Sequence, residues 1–235
     1  MRLLELFAGT GSIRKAFERQ GWEVVSLDIS PKYNPTHVVD LHSWNSHVYG
    51  SDYFHLIWGS PVCTQYSIAR TTGPPRDLLS ADKLVERMLE IMSYFRCGGA
   101  HWAFENPQSG LLPGRSVVAG LPFFVTSYCK YDGYPYRKNT RIWSSLALRL
   151  RSPCSLRDPC SVLVGRRHPQ TAQQSRRGGD ANDTNNTCSQ AQLYSIPPEP
   201  CSEIALATAK SPISRKAPKS HEGVDAQITV PFACE

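Results

Sequence analysis

Apolar residues along the chain fall into short runs separated by polar turns. Leu3-Leu4-Glu5-Leu6-Phe7, Glu23-Val24-Val25-Ser26-Leu27, His37-Val38-Val39, Phe54-His55-Leu56-Ile57-Trp58 and His101-Trp102-Ala103-Phe104 are too short for buried helices. Their length, and the Gly, Asp or Glu that closes each, predict buried strands. Leu121 to Tyr128 is a further strand candidate, and Tyr134 to Trp143 reads as a basic, aromatic turn running into a strand. Ile13 to Gln20 has a helical pattern ended by Gly21, with Ser12 as the expected N-cap. A second helix is expected over Ala81 to Phe95, where Leu84, Met88, Leu89, Ile91, Met92 and Phe95 share one face as core. A helical pattern returns over Gln192 to Lys210. Strands interleaved with helices make an open α/β sheet the expected architecture.

The pattern divides the chain. Residues 1–150 carry the periodic segments, and 151–192 are rich in Arg, Ser, Gln, Asn and Gly without periodicity. Residues 193–210 form the closing helix, and 211–235 are polar and expected to be a loose tail. The 235 residues can bury a sizeable core, and 40% apolar with 20% charged residues suit a soluble globular protein. No apolar run approaches the ~20 residues of a membrane span, and the first residues read as a strand rather than a signal peptide. A net charge of +6 is compatible with a polyanionic partner. Eight scattered cysteines lack the dense spacing of a disulfide scaffold. The expected compartment is therefore reducing, cytoplasmic or, in a eukaryote, nuclear, with free thiols.

In open α/β sheets ligands bind beyond the carboxyl ends of the strands, so the strand tips hold the candidate chemistry. Ala8-Gly9-Thr10-Gly11-Ser12 links the first strand to the first helix, and glycines there allow a tight turn and close approach to a ligand. Asp28 and Asp40 end the second and third strands. An acid there can accept ribose hydroxyls, or be an ordinary solvated turn residue. Together these tips point to a nucleoside cofactor. The third glycine of a dinucleotide-binding turn is absent, which disfavours a dehydrogenase. Gly59-Ser60-Pro61-Val62-Cys63 follows the fourth strand, where Pro stops the ladder and sets Cys63 on a loop. Alone, Cys63 could be a buried small hydrophobe. Glu105-Asn106-Pro107 places a carboxylate at another tip. The loop carrying Arg70 and Arg76 is long enough to close over a ligand. Tyr134 to Trp143, with Arg137, Lys138 and Arg141, suits phosphate contact and base stacking, or is a solvated basic hairpin.

Taken together, the chain resembles the S-adenosylmethionine-dependent DNA (cytosine-5) methyltransferase family. Glu5-Leu6-Phe7-Ala8-Gly9-Thr10-Gly11 matches the family's cofactor loop, and Gly59-Ser60-Pro61-Val62-Cys63 its nucleophile loop. Phe104-Glu105-Asn106-Pro107 matches its Glu-Asn motif, and Arg137-Lys138-Asn139-Thr140-Arg141 stands in the place of its Gln-x-Arg-x-Arg motif. All four come in the family's order within residues 1 to about 145. Small stand-alone viral or phage-type members are most similar, and Ile196-Pro197 before the closing helix resembles their tails. The resemblance implies a Rossmann-like class I methyltransferase fold, with a mostly parallel central sheet and helices on both faces. It implies S-adenosylmethionine held by Phe7, Ala8, Gly9, Thr10, Gly11, Asp28, Ile29, Asp40 and Pro61. It also implies catalysis by Cys63, Glu105, Asn106 and Arg141, and a substrate met by Ser67, Arg70, Arg76, Arg137 and Lys138. The expected partner is double-stranded DNA with a flipped-out cytosine, bound by a monomer. A tRNA cytosine-5 methyltransferase and a catalytically inactive DNA-binding relative are the alternatives.

The chain departs from the family pattern at Val62 for Pro, Thr64 for Gln and Asn139 for Arg. Only about 50 residues separate Arg141 from the closing helix, which implies a reduced recognition element and short-context specificity. That stretch holds Cys154, Cys160, His168 and Cys188. These are candidate zinc ligands, but their spacing is not that of a Cys-x2-Cys knuckle. Free thiols and a surface histidine, with no metal, are the expectation.

Overall fold

The computed structural model describes residues 1–170 and 193–211. Seven strands form one sheet in the order β3-β2-β1-β4-β5-β7-β6. They are β1 (Arg2–Leu6), β2 (Glu23–Asp28), β3 (His37–Val38), β4 (Leu56–Gly59), β5 (His101–Pro107), β6 (Phe123–Ser127) and β7 (Asn139–Ser144). Strands β3, β2, β1, β4 and β5 are mutually parallel, whereas β7 runs antiparallel to both β5 and β6. Among the described residues, the helices that pack on the sheet are α1 (Ser12–Glu18), α2 (Leu78–Cys97) and α3 (Pro198–Lys210). This is the expected open, mostly parallel α/β sheet with helices on both faces.

Alternation along the strands sorts the core into two layers. Leu4, Leu6, Ile57, Trp102, Phe104 and Trp143 face α2, packing on Val85, Met88, Leu89, Met92 and Phe95. Leu3, Leu56, Trp58, Ala103 and Ile142 face the other way, onto Ile13 and Phe17 of α1 and Cys201, Ile204 and Ala205 of α3. The period of two in the strands thus meets the 3.6-residue stripe of each helix. A Cβ on Gly59 would lie 2.4 Å from Met88 Sδ, so any side chain there would have to displace the Met88 side chain between β4 and α2.

Several boundaries differ from the sequence reading. The residue flanking α1 is Gly11 in the left-handed conformation, φ 67°, with no side-chain cap, so Ser12 is the first helical residue rather than the N-cap. Helix α2 begins three residues before Ala81, because Asp77 caps it through a bond from Ser80 N at 2.9 Å. Strand β5 continues through Glu105 and Asn106 to Pro107, because β7 pairs with it across Asn106↔Arg141 and Pro107↔Thr140. Glu105 is therefore held within the last three residues of the strand, at its expected tip. Among the described residues, Cys63, Cys129, Cys154, Cys160 and Cys201 are free thiols. Cys97 is disulfide-bonded, contrary to the expectation of free thiols throughout.

Candidate active site

One cavity of about 1400 Å³ opens along the carboxyl ends of β1, β2, β4 and β5. At one end is the turn after β1. Phe7, Gly9 and Gly11 all have positive φ, 60°, 48° and 67°, which turns the backbone tightly beneath the opening. Gly9 N donates to Asp28 Oδ2 at 2.8 Å, and Ser30 N donates to Asp28 Oδ1 at 2.8 Å. The tip of β2 is thereby fixed against the glycine turn. Glu5, 2% exposed in an otherwise apolar strand, lines the same end with Oε2 lacking a hydrogen-bond partner. Burial pushes its carboxyl up to about 8. Sequence reasoning passed over Glu5 as a strand residue. Its signal was a lone carboxylate inside a run of leucines.

At the other end lies the loop after β4. Pro61 O accepts from Asn106 Nδ2 at 2.9 Å, which ties the loop to β5. Tyr66 N closes a turn on Cys63 O at 3.0 Å, and buried Tyr66 OH donates to Asp82 Oδ1 at 2.8 Å. Arg115 grips the same carboxylate through Nε and Nη2, at 2.9 and 2.5 Å from Oδ2. The Cys63 loop is thus anchored to both β5 and α2. Burial raises the Cys63 thiol, the Glu105 charge adds to this, and Lys138 opposes it. Burial also raises Glu105, again opposed by Lys138, and Glu105 Oε2 has no partner. A thiol, a carboxyl disposed to keep its proton and one ammonium therefore share a low-dielectric corner.

The cavity brings together Phe7, Ala8, Gly9, Thr10, Asp28, Pro61, Cys63, Ser67, Arg70, Glu105, Asn106, Arg137 and Lys138. Gly11 flanks it in the same turn. Four expected residues stand elsewhere. Ile29 is 70% exposed and Asp40 is exposed, its Oδ1 accepting from His42 N at 2.9 Å, and neither lines the cavity. Arg76 is spent on the carbonyls of Ser67 and Arg70, at 2.7 and 2.9 Å, so it shapes the loop. Arg141 lies against Phe123, 3.8 Å from the ring centroid, and donates to Gln108 Oε1 at 2.7 Å. The cation felt by Cys63 is Lys138, not Arg141. Asn139, at a departure from the family pattern, accepts from Ser127 Oγ at 2.6 Å. Cys188 lies outside the described residues.

No family model matches the chain. A protein of Frog virus 3 (isolate Goorha), described as a "Probable DNA (cytosine-5)-methyltransferase", is 29% identical over 177 residues, covering 68% of this chain and 78% of that protein. The chain resembles the DNA (cytosine-5) methyltransferases. Among solved structures, the Entamoeba histolytica methyltransferase EhMeth aligns with 15% identity and TM-score 0.46 over 65% of this chain and 56% of its own. The S. pombe Dnmt2 methyltransferase aligns with 18% identity and TM-score 0.41 over 61% of this chain and 50% of its own. The chain thus spans about half the length of these solved structures. Of the four cytosine-5 methyltransferase motifs, the glycine turn, the cysteine loop and the Glu-Asn strand converge on one cavity. The fourth contributes Arg137, Lys138 and Asn139 to it.

Proposed function

We propose that the chain is a DNA cytosine-5 methyltransferase, acting as a monomer on a cytosine flipped out of duplex DNA, with S-adenosylmethionine as methyl donor. The observation that carries the reading is the convergence of Cys63, Glu105 and the Gly9–Asp28 turn on one cavity. The residues at the β1 end fit the cofactor. Asp28 retains lone pairs for ribose hydroxyls, the positive-φ turn lets backbone approach closely, and the orphaned Glu5 carboxyl offers a partner to an amino-acid ammonium. When bound, the cofactor supplies an electrophilic methyl group.

The chain's own residues make cytosine able to accept it. The Cys63 thiolate adds to C6, breaking the C5–C6 double bond and pushing the electron pair through the ring toward N3. Glu105, whose carboxyl burial raises, donates a hydrogen bond to N3 in its protonated form and stabilises that charge. Carbon 5 is then nucleophilic and would take the methyl group as the methyl's bond to the donor sulfur breaks, leaving a thioether. Loss of the C5 proton to solvent water returns the electron pair, re-forms the C5–C6 double bond and expels Cys63 as a thiolate. Asn106 holds Pro61 and so aims the thiol. Since C6 is covered inside a stacked duplex, the base must leave the stack.

The test is transfer of labelled methyl from S-adenosylmethionine to unmodified duplex DNA, with bisulfite sequencing to read the modified positions and their context. Methylated cytosines in wild type, and none with Cys63→Ser, are expected. Cys63→Ser should still bind cofactor, and covalent trapping on 5-fluorocytosine DNA should vanish. Transfer to tRNA in preference to DNA, or full activity of Cys63→Ser, would overturn the reading.

A further inference from the structure

The stretch from Arg151 to Gln170 forms a wall of the cavity through Cys154, Leu163, Arg166, Arg167 and His168, yet contains no helix or strand. Its backbone pairing is limited to two isolated bridges, Val164 with Arg167 and Gln170 with Tyr136. Its apolar support is small: buried Cys129, Cys154 and Cys160, with only Val162 and Leu163 packed against them. A segment with so little core needs another fastening.

The side chains supply one. The sulfurs of Cys129, Cys154 and Cys160 and a ring nitrogen of His168 all lie within 4.8 Å of one another. His168 Nε2 is 3.7 Å from Cys154 Sγ and 3.2 Å from Cys160 Sγ. Tetrahedral zinc holds sulfur at about 2.3 Å and nitrogen at about 2.0–2.1 Å, so its ligand atoms stand roughly 3.5–3.8 Å apart. The three thiols are 2%, 5% and 7% exposed, so the cluster is sheltered from solvent. We propose that Cys129, Cys154, Cys160 and His168 bind a zinc ion that fastens the 151–170 wall to the end of β6.

Soft thiolates with one imidazole select zinc over magnesium or calcium. Four protein ligands leave no open position, which makes the site structural rather than catalytic. Cys129 takes the place expected for Cys188. It comes from the 3-10 turn Tyr128–Lys130 that follows β6, remote in sequence from the other three. The site is also wired to the cavity. Cys154 N donates to Ser127 Oγ at 2.9 Å, and Ser127 Oγ donates to Asn139 Oδ1 at 2.6 Å. Arg166 and Arg167 sit between two ligands in sequence, so the metal would fix where their charges point.

Elemental analysis of the full chain, purified without chelator or affinity metal, should find about one zinc per chain. Cobalt exchanged into wild type should give the intense visible bands of tetrahedral thiolate coordination. Cys129→Ser and Cys160→Ser should lose the metal, and Cys63→Ala should keep it. Removing zinc should weaken binding of a short DNA duplex at least tenfold while leaving S-adenosylmethionine binding within about twofold. That last pair of readouts rests on the proposed function; the metal content does not. Wild-type protein with neither zinc nor a tetrahedral cobalt spectrum would overturn the site, whatever the variants do. So would stoichiometric metal retained by a Cys129→Ser/Cys160→Ser double variant.

Discussion

Three residues carry the electrostatics of the cavity, and two of them are carboxyls raised by burial. Glu5 keeps its proton up to about 8 in the fold but loses it near 4.5 when exposed. Between those values the folded state binds the extra proton. Stability from burying the neutral acid is therefore complete below about pH 4.5 and lost as pH rises through 8, at up to about 1.4 kcal/mol per pH unit. Glu5→Gln should flatten that slope in urea melts of the cofactor-free protein; an unchanged slope would assign it to other groups. Glu105→Gln keeps the shape but removes the acid, and should slow methyl transfer by about 10²–10⁴-fold. A rate equal to wild type would remove Glu105 from the chemistry. Lys138, which lies 4.9 Å from the centroid of Tyr128 and donates to Leu193 O at 2.9 Å, lowers both Cys63 and Glu105. Lys138→Met should move the acidic limb of the pH–rate profile to higher pH, and Lys138→Arg should restore it. A profile unmoved by Lys138→Met would show that the thiolate does not depend on this charge.

At the scale of elements, the site is a consequence of where strands stop and what holds the following turns. Strand β4 ends at Gly59, and the loop beyond is tied to β5 by Asn106 and to α2 by the Tyr66–Asp82–Arg115 set. Asn106→Ala should release Pro61 and cost about 10²-fold in kcat through misplacement, with cofactor affinity unchanged. A parallel loss of cofactor binding would mean that the whole loop had collapsed. Gly59→Ala sets a methyl against Met88 and should cost about 1–3 kcal/mol, read as a lowered urea midpoint. The strands, α1 and the tips bearing Gly9, Asp28 and Cys63 were legible, since period and breakers mark them locally. The pairing of the β5 tip, Glu105 to Pro107, with β7 was not, because no local pattern reveals that partner. Arg141 misled for the same reason. Its place in a basic motif said nothing of the Phe123 ring on the neighbouring strand β6 that claims its side chain.

For the whole molecule, the question the proposed function raises is what the short segment after Leu150 would offer a duplex. The catalytic half was readable because its motifs lie at successive strand tips, and the parallel sheet gathers those tips on one edge. The segment after Leu150 was opaque, since its order comes from long-range contacts: Cys129 with Cys154, and Ser127 with both Cys154 and Asn139. What that folding achieves is charge placement. Arg166 and Arg167 join Arg70, Arg137 and Lys138 around the cavity mouth, concentrating on one face much of the chain's excess of 26 basic over 20 acidic residues. Such a face binds phosphates by releasing counterions, at about 0.9 units of log K against log salt for each phosphate contacted. Arg166→Gln/Arg167→Gln should therefore shallow that slope by about 1.8, if each arginine meets one phosphate. Affinity should fall alike for all sequences, because phosphate contacts position without reading bases. S-adenosylmethionine binding should be unaffected, since these side chains belong to the 151–170 wall and not to the Gly9–Asp28 turn. Fluorescence anisotropy of a labelled duplex across a salt series measures the slope directly. A slope equal to wild type would mean that these arginines face solvent in the complex and that the duplex enters from the Arg70 side alone.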